Sequence, residues 1–142
     1  MKTITLVVFT SLLFMACTPK AQTAVNSSTK TVAVAENAIE RVDATTFKQQ
    51  INEGNVQLVD IRTPGEFNQS HISGSLNYDY YQRTFMSQMN TLDKSEPVYI
   101  YCRSGSRSRS ASSKLQKVGF TKIYDLKGGI NYWLRDGYKM ER

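Results

Sequence analysis

Sulfur and imidazole are scarce in this chain. Its 142 residues include two cysteines, Cys17 and Cys102, and one histidine, His71. Two thiols cannot build a disulfide framework, and one imidazole cannot supply a histidine-based metal cluster. The chain also lacks a stretch that would serve as a permanent membrane span. The apolar run from Ile4 to Met15 covers 12 residues, against the roughly 20 that a spanning helix needs. There are no internal repeats, and the length leaves room for one domain and some extra.

The first 16 residues do not belong to that domain. Lys2 gives a positive start, the run Ile4 to Met15 follows, and Ala16 precedes Cys17, which is the layout of a secretory signal peptide. "LFMAC" resembles the lipobox of bacterial lipoproteins, with Leu13, Ala16 and Cys17 in register. The expectation is an exported protein whose Cys17 carries a lipid anchor in the cell envelope, the domain facing the periplasm. Residues 17–38 are polar, small and free of aromatics, so they read as a lipidated Cys17 followed by a flexible linker. Removing residues 1–16 takes away Lys2 only and changes the net charge from +6 to +5. That excess suits anionic substrates, and equally solubility or acidic lipid headgroups. Cys102 then stands as the one remaining thiol. It is either a small buried core residue or a reactive nucleophile, and its surroundings must decide.

Residues 39–142 are patterned as a single α/β domain. "AIERVD" (38–43) reads as a short strand, and Asp43 or Thr45 caps a helix with Phe47 and Ile51 on one face, ended by Gly54. "VQLVDI" (56–61), "PVYIYC" (97–102) and "IYDL" (123–126) are apolar runs of strand length. Between them fall a Pro-Gly break with one helical turn at 62–70 and an amphipathic helix carrying Tyr81, Phe85, Met89 and Leu92. A further helix after Cys102 has Ala111, Leu115 and Val118 as its apolar face. A Gly-Gly turn then leads into a short helix with Ile130, Trp133 and Leu134. Strands alternating with helices imply a central, mostly parallel sheet flanked by helices.

Cys102 lies at the carboxyl end of a predicted strand, where open α/β sheets place ligands. The chain then turns through Arg103, Ser104, Gly105, Ser106, Arg107 and Ser108 into a helix. Gly105 supplies backbone freedom, and the small serines leave N–H groups open to an anion at the helix N-terminus. Only a thiolate attacks as a nucleophile, and helix N–H groups with nearby cations favour the thiolate over the thiol. His71, 31 residues upstream, is not needed for that activation. Arg103 and Arg107 are candidates for guiding an anionic substrate, or else solvated loop charges, whereas Arg109 reads as structural. Asp60, Arg62 and Glu66 could suggest a paired-carboxylate acid–base site. The structural reading is preferred: Arg62 and Glu66, at i and i+4, form an ion pair that fastens the turn, with Asp60 at the strand end. His71 reads as a hydrogen bonder that fixes a turn, and Trp133 as core.

Three segments together resemble the rhodanese family of sulfurtransferases. They are "LVDIRTPGEFNQSHISGSLN" (58–77), "CRSGSRS" (102–108) and "LKGGINYWLRDGY" (126–138), in the family order and spacing. The resemblance implies a rhodanese-like domain. It also implies a two-step sulfur transfer in which Cys102 takes the outer sulfur of thiosulfate or a persulfide, and a thiol or cyanide removes it. No metal or organic cofactor is implied; the partners are a small anionic sulfur donor and that acceptor. Ser70 and Ser73 replace the family's usual Gly and Pro around the His-Ile pair, expected as tolerated turn variants.

Other functions fit less well. A cysteine phosphatase or arsenate reductase needs Cys-x5-Arg to clamp its oxyanion bidentately, and the sixth position after Cys102 is Ser108. A rhodanese-like domain serving only as a binding or regulatory module would not need the retained cysteine and glycine loop. The Arg-Ser run of 103–110 is committed to a turn and a helix, so no nucleic-acid partner is expected.

Overall fold

The computed structural model describes residues 38–142. The leader, Cys17 and all but the last residue of the linker lie outside the described residues. Five parallel strands form one sheet in the order β1-β5-β4-β2-β3. They are β1 (Ile39–Val42), β2 (Gln57–Asp60), β3 (Leu76–Asn77), β4 (Val98–Tyr101) and β5 (Ile123–Leu126). Every residue of β4 and β5 is buried, as is nearly all of β2. Strands covered on both faces read as continuous apolar runs, which is why these three are plain in the sequence.

The helices divide between the two faces. Alternation along β4 sends Tyr99 and Tyr101 to one side, where they pack with Phe47 of α1 (Ala44–Asn52) and Ile130 and Trp133 of α5 (Gly129–Arg135). Val98, Ile100 and Cys102 point to the other side, against Phe85 and Met89 of α3 (Phe85–Met89) and Ala111 and Leu115 of α4 (Ser106–Lys117). The pleat of β4 therefore aims the Cys102 side chain at the helix that begins four residues later. α2 (Pro64–Gln69) follows the carboxyl end of β2. Asp43 caps α1 by accepting the Thr46 N–H at 2.8 Å, as its position predicts.

Three expectations change. The long amphipathic helix is only the five residues Phe85–Met89. Asp79 accepts the Tyr81 N–H at 3.0 Å and turns the chain there, leaving Tyr81 68% exposed. Val118 does not belong to the buried face of α4, because the helix ends at Lys117. Gly119, at φ 97, brings Phe120 into the core instead. Leu134 is 52% exposed, whereas Ile130 and Trp133 are buried. The two-residue β3 went unforeseen: it is too short to carry a pattern, and Asn77 secures it by donating to the carbonyls of Asp60 and Arg62.

Candidate active site

Cys102 follows the last residue of β4 and is fully buried, a free thiol. The Gly105 N–H donates to its Sγ at 3.1 Å, and Ser108 Oγ lies 3.7 Å away. The loop folds back on its own sulfur because Gly105 adopts φ 83, the left-handed region that a side chain resists. α4 starts at the next residue with no side-chain cap. The N–H groups of Ser106, Arg107 and Ser108 donate to no acceptor among the described residues, as the first turn of a helix allows. A buried sulfur beside a row of open amides is an environment for negative charge.

The opposite face of the loop is held by α5. The N–H groups of Ile130 and Asn131 donate to the carbonyls of Cys102 and Arg103, at 2.9 and 3.1 Å. Gly128 and Gly129, at φ 76 and 58, permit this approach. A Cβ on Gly129 would sit 2.3 Å from the Cys102 carbonyl oxygen. The Gly-Gly pair thus shapes the Cys102 loop from outside it.

Arg107 makes a bidentate ion pair with Glu66, both N–O distances being 2.8 Å. The same carboxylate closes the capping box of α2 with the Thr63 N–H, at 3.1 Å. The expected Arg62–Glu66 pair does not form. Arg62 turns to Asp60, at 2.6 Å, and to the Ser70 carbonyl, at 2.7 Å. Asp60 is completely buried and needs a cation that is buried with it, which Arg62 supplies two residues on. Glu66 is left for Arg107, and its hydrogen bonds from Arg107 hold its carboxyl down at about 2. Arg107 is raised in turn, chiefly by Glu66. Arg107 is therefore a neutralised tether between α2 and α4.

A carboxyl depressed from 4.5 to about 2 contributes its stabilisation fully above 4.5 and loses it as pH falls toward 2. Glu66→Gln should remove part of the acid limb of the stability–pH curve between those values. It should also slow loop chemistry by about tenfold through misplacement of α4. Acid titration followed by circular dichroism reads the first effect; an unchanged limb would contradict it.

The other expected site residues are placed as follows. Arg103 is exposed, makes no ion pair among the described residues, and lines a cleft of about 300 Å³ with Gln69, Asn131 and Leu134. Ser104 and Ser106 are exposed, and Arg109 is exposed on α4. His71 holds the chain end: its backbone pairs with Glu141, and Nδ1 and Nε2 meet the Phe67 carbonyl and Glu141 Oε1 at 3.2 and 3.3 Å. Sequence reasoning missed Arg41 and Asp125. Asp125, fully buried on β5, takes Arg41 Nε at 3.0 Å beneath the loop. The signal available was an aspartate inside the apolar run "IYDL".

Comparison with known proteins agrees with this geometry. The family model of the rhodanese-like domain matches residues 43–136. A sulfurtransferase of Allochromatium vinosum is 35% identical over 100 residues, covering 70% of this chain and 92% of that protein. A tRNA uridine(34) hydroxylase of Pelagibacter ubique is also 35% identical over 70% of this chain, which spans only 34% of that longer protein. Among solved structures, a rhodanese-related protein from Thermoplasma volcanium matches at a TM-score of 0.63 and 25% identity, covering 71% of this chain and 96% of that one. The parallel sheet, the cysteine at the end of β4 and the glycine loop agree with that match, and the chain belongs to the rhodanese-like domain family.

Proposed function

We propose that the protein is a single-domain thiosulfate sulfurtransferase working through a persulfide on Cys102. The observation that carries this reading is the buried Sγ that takes the Gly105 N–H at the foot of an uncapped helix. In the first half-reaction the Cys102 thiolate attacks the outer sulfur of thiosulfate. An Sγ–S bond forms, the bond from that sulfur to the sulfite group breaks, and sulfite leaves with the electron pair. The open amides of Ser106, Arg107 and Ser108 offset the charge on the persulfide's outer sulfur. In the second half an acceptor thiolate or cyanide bonds to that sulfur, and Cys102 departs as thiolate. A ping-pong rate law with sulfite released before acceptor binds is the expected kinetic result. A sequential law, with no sulfite in the absence of acceptor, would contradict it.

Among the described residues Arg103 makes no ion pair whereas Arg107 is held by Glu66, so the role of attracting the anionic donor falls to Arg103. Arg103→Gln should raise KM for thiosulfate by about fivefold with kcat nearly unchanged, and added salt should erase the difference. Equal KM values at low salt would remove Arg103 from that role.

We further propose, from the signal-type leader and "LFMAC", that the protein is exported and lipid-anchored through Cys17, with the domain in the periplasm. Cys17→Ala should move the protein from the membrane to the soluble fraction. Continued membrane association would count against the anchor.

A further inference from the structure

Asp125 is a buried acid that sulfur transfer through Cys102 does not use. It is fully buried on β5; its Oδ2 takes Arg41 Nε, but its Oδ1 is buried with no hydrogen bond of standard geometry. An orphaned carboxylate oxygen in a core is costly and asks for an explanation. α4 packs on β5, and among side chains the Ser108 hydroxyl most favours the charged form of this carboxylate, ahead of Arg41. Ser108 is itself fully buried, and its Oγ lies 3.7 Å from Cys102 Sγ, with the thiol as donor. Thiol, hydroxyl and carboxylate therefore form a row within the core, from the end of β4 through the first turn of α4 to β5.

We propose that Asp125 is a positioning residue for the nucleophile: through the Ser108 hydroxyl, its carboxyl group sets whether Ser108 accepts from the Cys102 thiol or donates to the thiolate. A hydroxyl carries one hydrogen and turns to suit its neighbours. While Asp125 is ionised, the Ser108 O–H points at Oδ1 and its lone pair faces Sγ, which suits a thiol. When Asp125 is protonated, its own O–H points at Ser108, and the Ser108 hydrogen is free for a thiolate. Passing between the two arrangements moves one proton from Sγ to Oγ while Oγ passes its own to Oδ1; no electrons are transferred and no other reactant is needed. Thiol and carboxyl are thus one coupled acid pair rather than two independent groups.

The other groups facing this row are accounted for. Arg41 on β1 pairs with Asp125, and Arg109 on α4 favours its charged form. Burial is the largest influence on Asp125 and raises it above the ordinary carboxylate value, against both arginines. At the sulfur end stand the Gly105 N–H and Arg107, the latter held by Glu66.

The inference rests on Cys102 as the reactive thiol of the proposed function, but its test needs no sulfur donor, so the two fail separately. The full chain is alkylated with iodoacetamide across pH, and the Cys102-containing peptide is followed by mass spectrometry. The native profile should be broader than a one-proton titration. Asp125→Asn should narrow it to one proton and speed alkylation about fivefold near pH 6, because a neutral amide leaves the Ser108 hydrogen to the thiolate. In a Ser108→Ala background the same substitution should change the rate by less than about twofold. A merely structural Asp125 would leave the midpoint in place. A profile for Asp125→Asn that superimposes on the native one, or a shift that persists undiminished without Ser108, overturns the proposal. If Asp125→Asn does not fold, Ser108→Ala alone must narrow the native profile, and an unchanged breadth overturns it.

Discussion

Cys102→Ser should lower sulfur transfer from thiosulfate by at least about a thousandfold while leaving the fold intact. Oxygen and sulfur are close enough in size that the buried position tolerates the exchange. The serine hydroxyl would still find the Gly105 N–H and the Ser108 hydroxyl as partners, so no buried polar group is orphaned. The chemistry is what disappears. A serine hydroxyl stays protonated at neutral pH, and the bond it would form to sulfur cannot replace the persulfide that carries the atom between half-reactions. Sulfite release, with circular dichroism as the control for folding, checks the expectation. A variant that retained full activity would remove Cys102 from the centre of the site.

Gly129→Ala should damage the site almost as much, from outside the loop. The residue sits at φ 58, and its added Cβ would come within 2.3 Å of the Cys102 carbonyl oxygen and 2.8 Å of the Arg103 carbonyl carbon. These are backbone atoms and cannot swing aside as a flexible side chain would. Either α5 withdraws, breaking the Ile130 and Asn131 hydrogen bonds to the loop, or the loop moves and carries Sγ out of line with the Gly105 N–H. The strained backbone and the lost contacts together should cost roughly 2–4 kcal/mol of stability. A displacement of about 1 Å at the sulfur should cost about a hundredfold in turnover. Gly54→Ala is the control: it lies in an open turn where a Cβ meets nothing, so both quantities should be nearly unchanged. Urea unfolding and steady-state rates on the two variants separate the outcomes, and near-native behaviour of Gly129→Ala would mean the loop does not depend on α5.

These two residues also mark how far the sequence could be read. Cys102 stands out locally, because an apolar strand, a cysteine, a glycine turn and a helix follow one another within a dozen residues. The buried strands β2, β4 and β5 are legible for a similar reason: both faces are covered, so their apolar runs are unbroken. Gly129 is legible only as a turn. Its closeness to the loop arises because α5 packs beside the carboxyl end of β4, a matter of topology.

Charge pairing shows the same boundary. The spacing of Arg62 and Glu66 suits a helical i, i+4 pair, yet tertiary demands override it: buried Asp60 claims Arg62, and Arg107, 41 residues away, claims Glu66. The outcome changes the role of Arg107, since a guanidinium already holding a carboxylate in both forks attracts an anion poorly. Spacing makes Tyr81 one end of a helical stripe, but the turn at Asp79 leaves it exposed beside Arg107. Local periodicity was right for Phe85 and Met89 and silent about what interrupts it. Asp125 is the reverse case, a visible oddity in an apolar strand whose partners lie on β1 and α4.

Everything proposed for this site depends on Cys102 carrying sulfur as a covalent intermediate. The most direct measurement is the mass of the Cys102 peptide from protein treated with thiosulfate and no acceptor, then desalted and digested. The peptide should gain the mass of one sulfur atom, lost on addition of cyanide or a thiol and absent in Cys102→Ser. No added sulfur from thiosulfate or any other sulfane donor, on a folded protein with its Cys102 thiol still alkylatable, would contradict it.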